Sequence, residues 1–487
     1  MKPAAPKTRA PFPSDLANDS PSRATSITID DVLLTLFVGA LAWTPFWLGS
    51  NRPIAWGINA VLFCALACAY EIVLAVRGRP HPLPIGRIRI AAGLFALAAL
   101  WALLQNATWT PSAWQHPLWR LAADALDRKV AGSISIDRDL SHLALLRLLT
   151  AASAFWLALQ LAGDERRARL LVWSVIVIGA LYSAVGLFAL GILGSGRVFT
   201  LPGVGPSKFV TSTFVSQNHF VTFAGIALIG AVGLTLRAYR EAFGHTASLL
   251  RLKFAMLIET SGGKAALPLA SAAVILPAQL LTANRGGIIS TALGIVVLVS
   301  LTMRNARTRK RSEVLPALFA LLLIGAVFVS FGDLFLGRIA RDGIIDHGRG
   351  WVASLTIASI LTRPLTGFGY GTFSAAFPMF RDGGMNLELF WDKAHNTYLE
   401  VFQGLGLLFG TMLIASVALL VWICIKGARS NRRGVTIPAI AAGASVLVGV
   451  HALVDFSLQI QAVTLTYMTI LAAGVAQAVS SRQAPQT

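Results

Sequence analysis

Hydrophobic runs of about twenty residues recur along the whole chain, each closed by a polar segment. Twelve can be placed, at about 32–49, 54–76, 88–105, 142–162, 170–193, 218–236, 265–283, 286–303, 314–331, 404–425, 436–452 and 460–479. A hydrocarbon core of about 30 Å takes roughly 20 apolar residues per helix. The pattern therefore predicts an all-α polytopic membrane protein with about 12 transmembrane helices, built as a single transmembrane domain over 32–480. Polar loops are predicted at about 106–141, 194–217 and 332–394, the last carrying short interfacial helices. Residues 1–31 hold Pro3, Pro6, Pro11, Pro13 and Pro21 among Ser, Thr and Asp with no apolar run. They read as a disordered tail and not as a signal peptide, and 481–487 as a second short tail.

Composition agrees with this pattern. Hydrophobic residues make up 55% of the 487, charged residues only 13%, and the mean hydropathy is +0.67, which excludes a soluble protein with one or two cores. The net charge of +19 adds the orientation. Most Lys and Arg lie in the tails and in alternate loops: Arg77, Arg79, Arg87 and Arg89; Arg166, Arg167 and Arg169; Arg237 to Lys264; Arg304 to Arg311; Lys426 to Arg433. Such clusters stay on the cytoplasmic side, and an even number of spans puts both termini there. The 106–141, 194–217 and 332–394 loops and the tight turn 282–287 then face outward. In the large loop the arginines are matched by acids, so retention in the cytosol does not explain them. The basic balance reports topology and anionic lipid, and no nucleic-acid partner is expected. Cys64, Cys68 and Cys424 form neither a disulfide framework nor a zinc pattern and read as packing residues.

The outward segments hold the candidate chemistry. Arg285 sits in the hairpin Asn284-Arg285-Gly286-Gly287, where the glycines allow a sharp turn and the arginine is held at the interface; snorkelling to lipid phosphate is the plainer reading. In the large loop, His347-Gly348-Arg349-Gly350-Trp351 leads into an amphipathic stretch, Val352 to Leu361, that predicts a short interfacial helix with Arg349 at its start. The alternating glycines Gly367, Gly369 and Gly371 lack the strand-turn-helix context of a phosphate loop. They read as a compact turn bringing backbone close to a substrate or another helix. His395 stands where the chain returns to the bilayer, beside Asn396 and Tyr398, and an interfacial histidine is also a common structural hydrogen-bonding residue. Asn218 and His219 head the sixth span. Asp455, flanked by apolar residues, is expected to be paired, near an arginine or another cation. Asp137-Arg138-Asp139 has the D-x-D form that binds metal in many sugar transferases, yet no second oxygen-ligand cluster accompanies it. Neither a metal nor a cofactor is expected.

Together, Phe214-Val215-Ser216-Gln217-Asn218-His219-Phe220, Asn284-Arg285-Gly286-Gly287, Arg349-Gly350-Trp351 with Pro364-Leu365-Thr366-Gly367-Phe368-Gly369, and His395-Asn396-Thr397-Tyr398-Leu399-Glu400 resemble the bacterial O-antigen ligase and polymerase superfamily in order, spacing and sidedness. The resemblance runs from about 210 to 460, and departs from the family pattern at Gly404 and Phe409. It implies a metal-independent, inverting membrane glycosyltransferase of the bacterial inner membrane that takes an undecaprenyl-diphosphate-linked glycan at the periplasmic face. It further implies catalytic roles for His395, Arg285 and Arg349. Substrate binding is expected at Arg285, Arg349, Asn396, Tyr398, Asn218 and His219. Ligation of O-antigen to lipid A-core is the leading expectation, with O-antigen or exopolysaccharide polymerisation from the same donor as the alternative and polysaccharide or lipid transport as a further one. The transporter reading lacks charged residues deep in several spans and recognisable repeat-related halves.

Overall fold

The computed structural model describes residues 28–199, 205–243, 265–303, 347–381, 391–430 and 435–480. In chain order these form α1 (Ile29–Trp43), α2 (Pro53–Val76), a 3-10 turn (Ile85–Ile88) leading into α3 (Arg89–Leu104), α4 (Leu118–Ala125), α5 (Arg138–Leu161), α6 (Glu165–Ile192) and α7 (Gln217–Phe243). There follow α8 (Ala266–Leu280), α9 (Arg285–Met303), α10 (His347–Thr362), the single turn α11 (Phe373–Ala376), α12 (Thr397–Ala428), α13 (Thr436–His451) and α14 (Gln461–Ser480). Several starts are written in the sequence as caps. Thr28 and Asp31 form a capping box on α1, and Asp137, Asp164 and Asn396 accept backbone N–H groups at the heads of α5, α6 and α12.

Among the described residues, eight helical stretches are long and apolar enough to cross a membrane, and α8 and α13 are shorter apolar helices. Eleven of the twelve expected spans coincide with a helix, the first of them as the 15-residue α1. The expected span 314–331 lies outside the described residues, as do 1–27, 332–346, 382–390 and 481–487, so the count of twelve and the full extent of the large loop are not established. The stretch after Arg349 is helical, as α10, with Arg349 in its first turn.

α14 and α7 form the centre, with 89% and 83% of their most apolar windows buried, whereas α2, α3 and α12 stand at the rim with 28%. Small residues make the centre close. A Cβ added to Gly294 of α9 would lie 2.6 Å from the Gly443 carbonyl of α13, and one added to Gly443 would lie 2.7 Å from the Gly294 carbonyl. Only glycine permits that crossing, as is usual where helices meet without a driving force from water.

The two ends of the bundle differ in chemistry. At one end Asp30 holds Arg79 at 3.2 Å and Arg167 at 3.3 Å, and Glu165 holds Arg237 at 3.4 Å, so the basic clusters after α2, in the first turn of α6 and at the end of α7 gather together. At the other end lie the turn 44–52, the 105–137 segment, the 205–216 segment, the 281–284 turn, the start of α10, and the 391–396 and 452–460 segments. They are tied to one another: Thr213 Oγ1 donates to the Pro45 carbonyl, Val210 N–H to Leu281, Ser135 N–H to Gln105 and Ile136 N–H to Phe368. No strand forms among the described residues; isolated bridges join Leu48 to Phe214 and Arg197 to Ser212.

Candidate active site

Loop 452–457, between α13 and α14, is the point on which the candidate residues meet. Arg349 Nη1 donates to the Val454 carbonyl at 3.0 Å. Asn396 Nδ2 donates to Leu453 at 2.9 Å, Thr397 N–H to Ala452 at 2.9 Å, and Thr397 Oγ1 to the Asp455 carbonyl at 3.0 Å. From a third direction Asn218 Nδ2 donates to Asp455 Oδ1 at 2.9 Å. Asn284 Nδ2 donates to Asn218 Oδ1, while Asn284 Oδ1 accepts Gly287 N–H at 2.6 Å. The hairpin that carries Arg285 is thus fastened, through two asparagines, to the same loop that receives Arg349.

His395 has a left-handed backbone, φ +51°. That conformation is unusual for a residue with a Cβ and is held only when its surroundings fix it. The fixing groups are visible. Asn396 caps α12 by accepting Tyr398 N–H at 3.0 Å and Leu399 N–H at 3.1 Å, and Ala394 N–H donates to Glu400 Oε1 at 2.8 Å. The His395 ring stands edge-on to Phe456, centroids 5.0 Å apart, and to Trp391 at 5.4 Å. His219 approaches the same Phe456 at 4.9 Å.

Asp455 was expected beside a cation. It instead accepts from Asn218 and from the Ser457 hydroxyl, with Arg349 meeting the loop one residue away. Burial pushes its carboxyl up, but facing His219 and His451, and the two hydrogen bonds, hold it below the usual carboxylate range. His451 Nδ1 lies 2.7 Å from Thr222 Oγ1, which also donates to Ser457 at 3.1 Å. A Cβ added to Gly286 would stand 3.4 Å from His451, so this histidine borders the Arg285 turn.

The binding candidates divide. His219 is 2% exposed, and neither ring nitrogen has a hydrogen-bond partner among the described residues, leaving two polar atoms for a ligand or water to satisfy. Asn218 and Asn396 spend both ends of their amides on the scaffold. Tyr398 donates its hydroxyl to the Gly449 carbonyl at 2.9 Å and lines a cleft between α5, α12, α13 and α14. Asp137 is a helix cap, accepting Leu140 N–H at 3.0 Å, and Arg138 lies 4.6 Å over the Trp119 ring. Glu400, Thr222, Ser457 and His451 carry the site's hydrogen bonds but had no assigned role in the sequence; only their neighbourhood to Asn218, His395 and Asp455 marked them.

The glycine run docks on another helix. Phe368 N–H donates to the Gln403 carbonyl at 2.9 Å, Gly369 N–H to Gly404 at 3.0 Å, and Leu407 N–H to Pro364 at 2.7 Å. To receive these bonds α12 breaks at Gly406, whose φ is +77°. Gln105 closes the joint, donating to the Thr366 and Gly404 carbonyls at 2.7 and 2.8 Å and accepting Tyr370 N–H at 3.1 Å.

Residues 270–413 match a family model described as O-antigen ligase. Over that segment the chain is similar to the O-antigen ligase family. That segment includes Arg285, Arg349, the glycine run, His395 and the broken part of α12, and it bears out the resemblance to the O-antigen ligase superfamily. The O-antigen ligase family implies, in general terms, a glycosyltransferase-like enzyme acting on a lipid-linked glycan and an acceptor. No curated protein matches the chain.

Proposed function

We propose that the protein transfers a glycan from an undecaprenyl diphosphate carrier to an acceptor hydroxyl at the periplasmic face of the bacterial inner membrane, with O-antigen ligation to lipid A-core as the leading case. The observation that carries this reading is the shared anchoring of three chain segments on loop 452–457: Arg349 directly, the Arg285 turn through Asn284 and Asn218, and the His395 turn through Asn396 and Thr397.

Breaking a glycosyl–diphosphate bond leaves negative charge on the departing phosphate. Arginine forks match phosphate oxygens in geometry and stay charged, so Arg285 and Arg349 clamp the diphosphate as charge develops. His395 takes the proton of the attacking acceptor hydroxyl, a role worth roughly 10²–10⁴ in rate. His219, buried behind Phe456 with open ring nitrogens, forms the polar back wall. The chemistry needs no metal ion and inverts the anomeric centre. Polymerisation uses the same donor and the same three groups and differs only in the acceptor.

A deletion strain complemented with wild type or His395→Ala tests the proposal. Long unligated polymer accumulating in the variant means a ligase, and single lipid-linked repeats mean a polymerase. Accumulation of neither returns transport to the front.

A further inference from the structure

A cleft of about 440 Å³ opens between α5, α12, α13 and α14, on the other side of the Glu400 side chain from the His395 turn. Its α12 wall is one continuous apolar face, Leu413, Ile414, Val417, Val421, Trp422 and Ile425. At 1.5 Å per residue that face runs roughly 18 Å, slightly more than half of a hydrocarbon core of about 30 Å. Trp422 is 46% exposed, so the cleft is open along its side. Its head is polar: Arg147, Tyr370, Tyr398, Glu400 and Gln459.

Arg147 is the unexplained residue. It sits in the middle of α5, its guanidinium 4.3 Å over the Trp56 ring, with Nη1 donating to the Gln459 carbonyl at 3.3 Å. Its Nε is buried and has no hydrogen-bond partner among the described residues. A cation inside a membrane span calls for a partner, and a guanidinium N–H without one is costly. Glu400 is already occupied, with Oε1 accepting from Ala394 and Oε2 from Gln459 at 2.6 Å. Arg147, with this donor unsatisfied, lines the head of a cleft that is apolar below and one leaflet deep.

We propose that this cleft is a seat for one acyl chain of a phospholipid, whose phosphate accepts from Arg147. The volume fits one chain of that kind: a cavity of about 150 Å³ holds one benzene, so this one encloses on the order of 18 carbons, the length of one fatty acyl chain. The second chain remains in the bilayer through the open side.

The test is native mass spectrometry of the full chain, exchanged into detergent from nanodiscs of phosphatidylglycerol, with a parallel set that also contains a polyprenyl phosphate. Wild type is expected to retain one phospholipid per chain. Arg147→Gln, which removes the cation, and Ala418→Trp, which fills the cleft from α12 without touching its head, each lower the retained fraction about tenfold. Ile72→Trp, on an exposed face of α2, leaves it unchanged. Thermal unfolding in lipid identifies a variant that fails to fold, and the other cleft variant then decides. Equal retention in wild type and a folded cleft variant overturns the proposal, as does displacement of the phospholipid by polyprenyl phosphate.

Discussion

The carboxylate of Glu400 accepts the backbone N–H of Ala394 at 2.8 Å, one residue before His395, and does so from the first turn of the helix that His395 precedes. The left-handed backbone at His395 is therefore tied down on both sides, by Glu400 before it and by the Asn396 cap after it. Hydrogen bonds to a charged group contribute about 1.5–3 kcal/mol. Glu400→Ala is expected to lower kcat for glycan transfer about 10- to 100-fold with little change in KM, whereas Glu400→Gln, which keeps an acceptor for Ala394, recovers most of it. Steady-state kinetics on lipid-linked glycan separate the two, and an unchanged kcat in Glu400→Ala would remove the residue from the mechanism.

The arginines are expected to act through fork geometry and not charge alone. Arg285→Ala and Arg349→Ala each lower transfer by about 100-fold or more, in line with loss of a donor to developing charge. Arg285→Lys and Arg349→Lys restore it only in part, because an ammonium cannot make two parallel hydrogen bonds. Membrane fractions with normal protein levels and an assay for transferred glycan measure this. Full activity with lysine at both positions would show that charge alone suffices.

The joint between the glycine run and α12 leaves no room for a methyl group. A Cβ at Gly367 would lie 2.3 Å from the Gly404 carbonyl, and one at Gly406 2.4 Å from the Leu365 carbonyl, both on left-handed backbone. Backbone strain of this kind costs about 1–3 kcal/mol before any clash is counted. Gly367→Ala and Gly406→Ala are expected to lower the unfolding temperature in detergent, while Gly57→Ala, with open space around it, does not.

Acid is expected to loosen the 105–137 segment. Burial, aided by Arg363, holds His116 down at about 4, and its Nδ1 accepts Leu118 N–H at 3.2 Å. The unfolded imidazole titrates near 6.5. Between those values the unfolded segment binds more protons than the folded one, so its stability is complete above about pH 6.5 and is lost as pH falls toward 4. The protection factors across 105–137, taken against the intrinsic exchange rate at each pH, should fall between pH 7 and 5 in wild type and much less in His116→Gln.

The sequence made the helices legible wherever a long apolar run ended at a cap, as at Asp137 and Asp164. It also marked Arg285, Arg349 and His395, because charge and imidazole at span ends stand out against an apolar background. The α12 break was not legible. Residues 404–425 read as one span, since nothing local reveals that Gly404 and Pro364 exchange backbone groups with distant partners. Asp455 looked like the mate of an arginine because charge is visible in a sequence, whereas the amide of Asn218, 237 positions away, is not. Arg147 was detectable as a lone cation inside the 142–162 run.

The break at Gly406 has a mechanical consequence. The carbonyls of Gln403 and Gly404 and the N–H of Leu407 are given to the 364–369 segment, and Leu405 to the indole of Trp101. Both sides of the break, Gln403 to Leu405 before it and Leu407 after it, are thereby fastened to the 364–369 segment and Trp101. Any movement of the helix below Leu407 has to break or carry that joint before it reaches the His395 turn.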